Sequence, residues 1–118
     1  MYQYTAQLIR VIDGDTLVVD VDLGFYIRQE MILRLRSINT PELKGKEHQQ
    51  ALEARNFVEE QLKDNSLAIR TYKVETWGRF LADVYFGPSH YTISELFEKG
   101  LNLNELLVEK GYAQLFKE

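Results

Sequence analysis

Three short segments of this 118-residue chain carry side chains suited to chemistry on a phosphate ester: Asp13-Gly14-Asp15-Thr16, Arg34–Glu42, and Trp77-Gly78-Arg79. Asp15 offers a hard carboxylate oxygen of the kind that binds Ca²⁺. Arg34 and Arg79 offer planar guanidinium groups, each able to give a phosphate two parallel hydrogen bonds, which Lys cannot. Glu42, eight residues beyond Arg34, offers a carboxylate to orient or deprotonate a water. Hydrolysis of a phosphodiester needs all of these: a positioned water, a base, and positive charge where the non-bridging oxygens gain electrons.

Each segment has a plainer reading on its own. Asp13-Gly14 is a common hairpin turn. Arg34 and Arg36 alternate with Leu33 and Leu35, as on any solvated strand face, and Arg36 is assigned to the surface or to a substrate flank. Thr40-Pro41-Glu42 could simply end a strand, and Trp77 suits core packing as well as base stacking. His48 and His90 stand alone, without partners at useful spacing, and are read as surface residues. The seven tyrosines are scattered and read as core or rim. The three segments gain weight from occurring together, in this order.

The elements that must position them follow from periodicity. Leu17, Val19, Val21 and Leu23 alternate with Val18, Asp20 and Asp22, which predicts a half-buried strand. Asp13-Gly14 joins it to a strand over Gln7–Ile12. From Ile27 to Ile38, Met31, Leu33 and Leu35 fall on one face, with Arg28, Glu30, Arg34 and Arg36 on the other. Pro41 ends that run, having no N–H for a ladder. Ala51, Ala54, Phe57, Val58 and Leu62 recur at steps of three and four, predicting a helix over Glu47–Lys63 that stops at Asp64-Asn65-Ser66. Two more strands are expected at Leu67–Tyr72 and Phe80–Phe86. The tail holds two similar stretches, Ser94–Gly100 and Asn104–Gly111, each with a capping residue first and a glycine at the end. They predict two short helices joined by Leu101-Asn102-Leu103. Five short strands with a helix after the third suggest an α+β fold: a five-stranded OB-fold β-barrel with flanking helices.

Composition sets limits. The length suits one domain spanning 1–118. The absence of cysteine excludes a disulfide framework, a thiolate metal site and a cysteine nucleophile. No apolar run approaches the roughly 18 residues of a membrane span, so no membrane partner is expected. No signal peptide is visible; the expected location is the cytoplasm, or outside the cell if a leader was removed. Net charge is −4, which disfavours general affinity for a polyanion. Residues 28–46 nevertheless carry a local +3, and residues 95–118 a local −2. A phosphate can be held at such a basic site on an acidic body, whereas long duplexes should bind poorly.

Taken together, the three segments resemble the staphylococcal nuclease (thermonuclease) family, over about Tyr4 to Ala113. The resemblance implies the OB-fold barrel and a calcium-dependent nuclease acting on single-stranded or frayed DNA and RNA, leaving 3′-phosphates. It implies that Arg34, Glu42 and Arg79 are catalytic, with Glu42 orienting the attacking water. It implies that Asp15, the residue at Asn39 and the Thr40 carbonyl hold Ca²⁺, and that Trp77, where the family usually has tyrosine, stacks on a base. One departure is clear: the family's second metal carboxylate is Asn39 here. The stretch from Gly87 to Leu103 is also longer than usual, and the family's later aromatic contacts and last long helix are not in the chain. The expected partner is single-stranded nucleic acid, and the expected state a monomer. The alternative reading is a non-catalytic nucleic-acid-binding module. A third is an interaction protein that uses the acidic 95–118 tail.

Overall fold

The alternating run after Asp15 forms a strand more deeply buried than a half-exposed one, since Leu17, Val18 and Val19 are all fully enclosed. The computed structural model describes residues 2–76 and 78–116, with no account of the side chains of Glu75 and Thr76. Along the chain run β1 (Tyr2–Asp13), β2 (Thr16–Gly24), β3 (Ile27–Leu35), β4 (Ile38–Asn39), α1 (His48–Leu62), β5 (Asn65–Thr76) and β6 (Arg79–Pro88). The tail holds α2 (Ile93–Lys99), β7 (Leu101–Asn102), α3 (Leu103–Glu109) and β8 (Gln114–Leu115).

β1, β2 and β3 form an antiparallel meander, β1 also pairs with β5, and β5 pairs with β6. A parallel pairing of β3 with β6, Ile32–Leu35 against Arg79–Ala82, closes the sheet. The result is the expected α+β architecture, a closed five-stranded barrel with three helices. β1 lies between β2 and β5, and its pairing with β2 shifts register between Leu8 and Arg10. Bulges of this kind bend and twist the strand that carries them.

Leu17, Val19, Val21, Leu33, Leu35, Leu67, Ile69 and Val84 fill the barrel. Val58 and Leu62 of α1, with Leu103 and Leu107 of α3, belong to the same cluster. Phe57 of α1 stacks on Tyr112, with ring centroids 4.5 Å apart, and so ties the helix to the tail.

The tail helices form where periodicity places them, but their caps differ from expectation. Thr92, not Ser94, caps α2: its hydroxyl accepts from Glu95 N, and Glu95 returns a bond to Thr92 N. Asn102, not Asn104, caps α3 through Glu105 N. The joining residues Leu101-Asn102 form a short strand against Tyr85 and Phe86 rather than a loop. Among the described residues no helix is long and apolar enough to cross a membrane.

Gly14 sits where β1 turns into β2 and α1 crosses closest. A Cβ there would lie 2.9 Å from Ala54 Cβ and 3.0 Å from both Thr40 Oγ1 and Cγ2. Gly14→Ala must push α1 or Thr40 away, and a loss of about 1–3 kcal/mol is expected in urea unfolding, as for other overpacked positions.

Candidate active site

Asp15 is the centre on which the first two segments converge. The ladder between β2 and β3 sets Thr16 opposite Arg34, and Leu35 N donates to Asp15 O at 2.8 Å. The Asp15 carboxylate accepts from Thr16 Oγ1 at 3.0 Å through Oδ1, and from Thr40 N at 3.0 Å through Oδ2. Arg34 Nη2 lies 3.4 Å from Oδ2. Both side chains are nearly enclosed, with 13% of Arg34 and 10% of Asp15 exposed. An ion pair this desolvated holds because each charge has further partners; losing one would strand the other.

Arg34 meets those further demands with its remaining N–H groups. Nη1 donates to the Leu35 carbonyl at 2.6 Å, and Nη2 donates to Asn39 Oδ1. The guanidinium plane is therefore fixed by its own strand, by the β1–β2 turn and by β4. Asn39 is held from the other side by the tail: β4 pairs with β8, Ile38 against Leu115 and Asn39 against Gln114. Phe116 N also donates to Ser37 O at 2.8 Å. Ser37 takes a left-handed backbone (φ 67°), which turns the chain from β3 into β4.

Asp15, Arg34, Asn39 and Thr40 thus form one bonded cluster. Arg79 begins β6 beside Ile32, two residues along the ladder from Arg34, or roughly 7 Å at strand rise. Glu42 lies beyond Pro41 in a turn closed by Gly45 N on its carbonyl at 2.9 Å. Both side chains are exposed, and among the described residues neither makes a hydrogen bond or ion pair. The expectation for Trp77 falls outside the described residues. A cleft of about 580 Å³ opens beside Asn39, Thr40 and Pro41 and extends to Glu47, Gln50 and Tyr112.

The donors around Asp15 suit a hard cation in kind: a carboxylate, the Asn39 amide oxygen and the Thr40 carbonyl are all oxygens. Thr40 Oγ1 is buried without a hydrogen-bond partner, against Gly14. The site is sparse in charge. Among the described residues no group of three His, Cys, Asp or Glu side chains is placed to hold a metal.

Sequence reasoning missed a second polar cluster, on the far side of β6. Arg36, read as surface or substrate flank, stays partly exposed but brings Nε and Nη2 each to 3.3 Å from Asp83 and stacks 4.0 Å above the Tyr72 ring. Tyr72 Oη donates to Asp83 at 2.7 Å. Asn104 Nδ2 donates to the carbonyls of Arg36 and Ala82 at 3.0 and 3.2 Å, and its Oδ1 accepts from Val84 N at 3.2 Å. This network anchors the end of β3, just after Arg34, to β6 and α3. An acidic residue inside the apolar run Leu81-Ala82-Asp83-Val84 was the available signal. Burial, then the bond to Asp83, raises the Tyr72 pKa above its ordinary value.

A family model described as "Staphylococcal nuclease homologue" matches residues 32–118. A protein of Methanocaldococcus jannaschii, described as uncharacterized, is 24% identical over 136 residues, covering 96% of this chain. The match takes in 59% of that relative, so the chain spans less than two thirds of its length.

The raised Tyr72 pKa has a defined consequence. The neutral phenol is favoured in the folded state, so its contribution is complete below the ordinary tyrosine pKa and is lost as pH rises through the raised one. Tyr72→Phe should cost about 1–2 kcal/mol at neutral pH. Its stability, followed by urea unfolding, should then fall less steeply than wild type above about pH 10.

Proposed function

We infer the function from one premise: the chain belongs to the staphylococcal nuclease family. It is a calcium-dependent nuclease that hydrolyses phosphodiester bonds of single-stranded DNA or RNA, within a single domain spanning residues 1–118. The observation that carries this reading is the Asp15–Arg34 pair, bonded to Asn39 and Thr40 and flanked by Arg79 on the adjoining strand. A donor held as Arg34 is needs little reorganisation when charge develops beside it.

In this reading the phosphate lies between Arg34 and Arg79, whose N–H groups meet its non-bridging oxygens. Arg34 contributes from a fixed plane, since Leu35, Asp15 and Asn39 already hold two of its nitrogens. Arg79, exposed and without a described ion pair, is free to close on the substrate from the surface. Glu42 orients a water in line with the departing oxygen and accepts its proton. Asp15, Asn39 and the Thr40 carbonyl would hold the calcium ion, which supplies positive charge beside the phosphate when bound. Asn39 gives that position an oxygen but no charge, so affinity for the ion should be lower than with a second carboxylate. Trp77 stacks on a base near the cleaved bond.

The alternative is a binding module without turnover. Asn39 favours it, because its oxygen is already engaged by Arg34 and brings no charge. The two readings separate in one assay. A fluorescent single-stranded DNA oligonucleotide is incubated with millimolar Ca²⁺ or with chelator. Cleavage is expected only with Ca²⁺, to be abolished by Glu42→Gln and lowered about 10²–10³-fold by Arg34→Ala or Arg79→Ala. Asn39→Asp should lower the Ca²⁺ concentration giving half-maximal rate. Binding that ignores both Ca²⁺ and Glu42→Gln, with no cleavage at high Ca²⁺, would establish the module instead.

A further inference from the structure

The outer half of the β2–β3 hairpin is built for contact. β3 pairs with β6 only over Ile32–Leu35, and on that side Ile27–Met31 meet no described strand. The open edge is partly satisfied by its own side chains, since Gln29 Nε2 donates to the Glu30 carbonyl at 3.2 Å. At the tip, Phe25 and Tyr26 are 94% and 106% exposed. Both have positive φ, 56° and 62°. Turns that place both central residues there favour Asn-Gly, and bulky rings are strained in that region. Neither the turn nor the core gains from aromatic rings at these positions.

Beside this edge lies a groove of about 520 Å³ lined by Leu23, Met31, Ile32, Gly78 and Phe80. The exposed face of the hairpin carries Asp20, Asp22 and Glu30 with Arg28. The ladder sets Asp20 directly opposite Glu30, and Arg28 bonds Asp20 at 2.7 Å. Glu30 is thus a carboxylate facing a carboxylate. That excess of negative charge repels a polyanion and disfavours nucleic acid at the tip.

We propose that this edge pairs with the same edge of a second copy of the chain, antiparallel about Gln29. The sequence Ile27-Arg28-Gln29-Glu30-Met31 is complementary to itself in that register. Arg28 of each copy falls opposite Glu30 of the other, and Ile27 opposite Met31, so these contacts occur twice about an axis at Gln29, as a two-fold interface requires. Glu30 then faces a cation, which its own chain does not place opposite it. The hairpins overrun the paired stretch, and Phe25 and Tyr26 of one copy come to the Leu23–Met31–Phe80 groove of the other. The rings thereby lie next to Gly78, beside Arg79. The sequence suggested a monomer; the edge, tip and groove argue for a dimer.

Sedimentation equilibrium at about 10 and 100 μM tests this, a range that populates even a weak micromolar association. Wild type is expected to approach twice its 13.8 kDa mass as concentration rises. Two variants improve the hairpin within one chain while damaging the contact. Glu30→Arg relieves the clash with Asp20 but opposes Arg28 of the second copy. Phe25→Asn/Tyr26→Gly relaxes the turn but removes the rings. Both should stay folded by circular dichroism and associate at least about tenfold more weakly. Wild type that remains a monomer at about 100 μM, or variants that associate as wild type does, would overturn the proposal.

Discussion

The desolvated pair between Asp15 and Arg34 is the constraint on which the rest of the site depends. A carboxylate and a guanidinium this enclosed must each be met by several partners, and those partners come from three places in the chain. Thr16 and Leu35 are local to the strands that carry the pair. Thr40 and Asn39 come from the segment beyond the Ser37 turn, and their positions follow from what the pair demands. Satisfying one buried charge pair therefore assembles Arg34, the candidate cation ligands and the start of the Glu42 loop in one act.

Barrel closure supplies the second arginine. Arg79 stands near Arg34 only because β6 adds to β3 in parallel, over four residues, after the chain has passed through α1 and β5. That seam is short, and the Arg36–Asp83–Tyr72–Asn104 cluster reinforces it just past the end of β3. A charged and aromatic network at such a place holds register where few ladder bonds can. It also explains why Asp83 is tolerated in β6: Arg36, Tyr72 and Asn104 donate to its carboxylate.

The tail makes a comparable contribution from further away. β8 pairs with β4, and the Phe57–Tyr112 stack binds α1 to the residues just before β8. Asn39 therefore sits between a guanidinium on one side and the last strand on the other. Over Ile27–Met31 β3 keeps β2 on one edge, and its other edge meets no described strand. Closure is tight at the candidate site and absent beyond it.

Much of this was legible before any coordinates. Period-two and period-three-to-four patterns are local consequences of one-sided burial, so β2, β3, α1 and the two short tail helices could be located from residue order. Asp15, Arg34 and Thr40 could be nominated because few residue types perform their chemistry and their segments occur together. Tertiary structure decided what depends on unlike segments meeting. It turned Asn104 inward instead of leaving it as a cap, and it gave Arg36, still partly exposed, a fixed partner in Asp83. It enclosed Val18 on what should have been an outer face. In each case a group's environment is set by a chain segment tens of residues away, and local spacing carries no record of that neighbour.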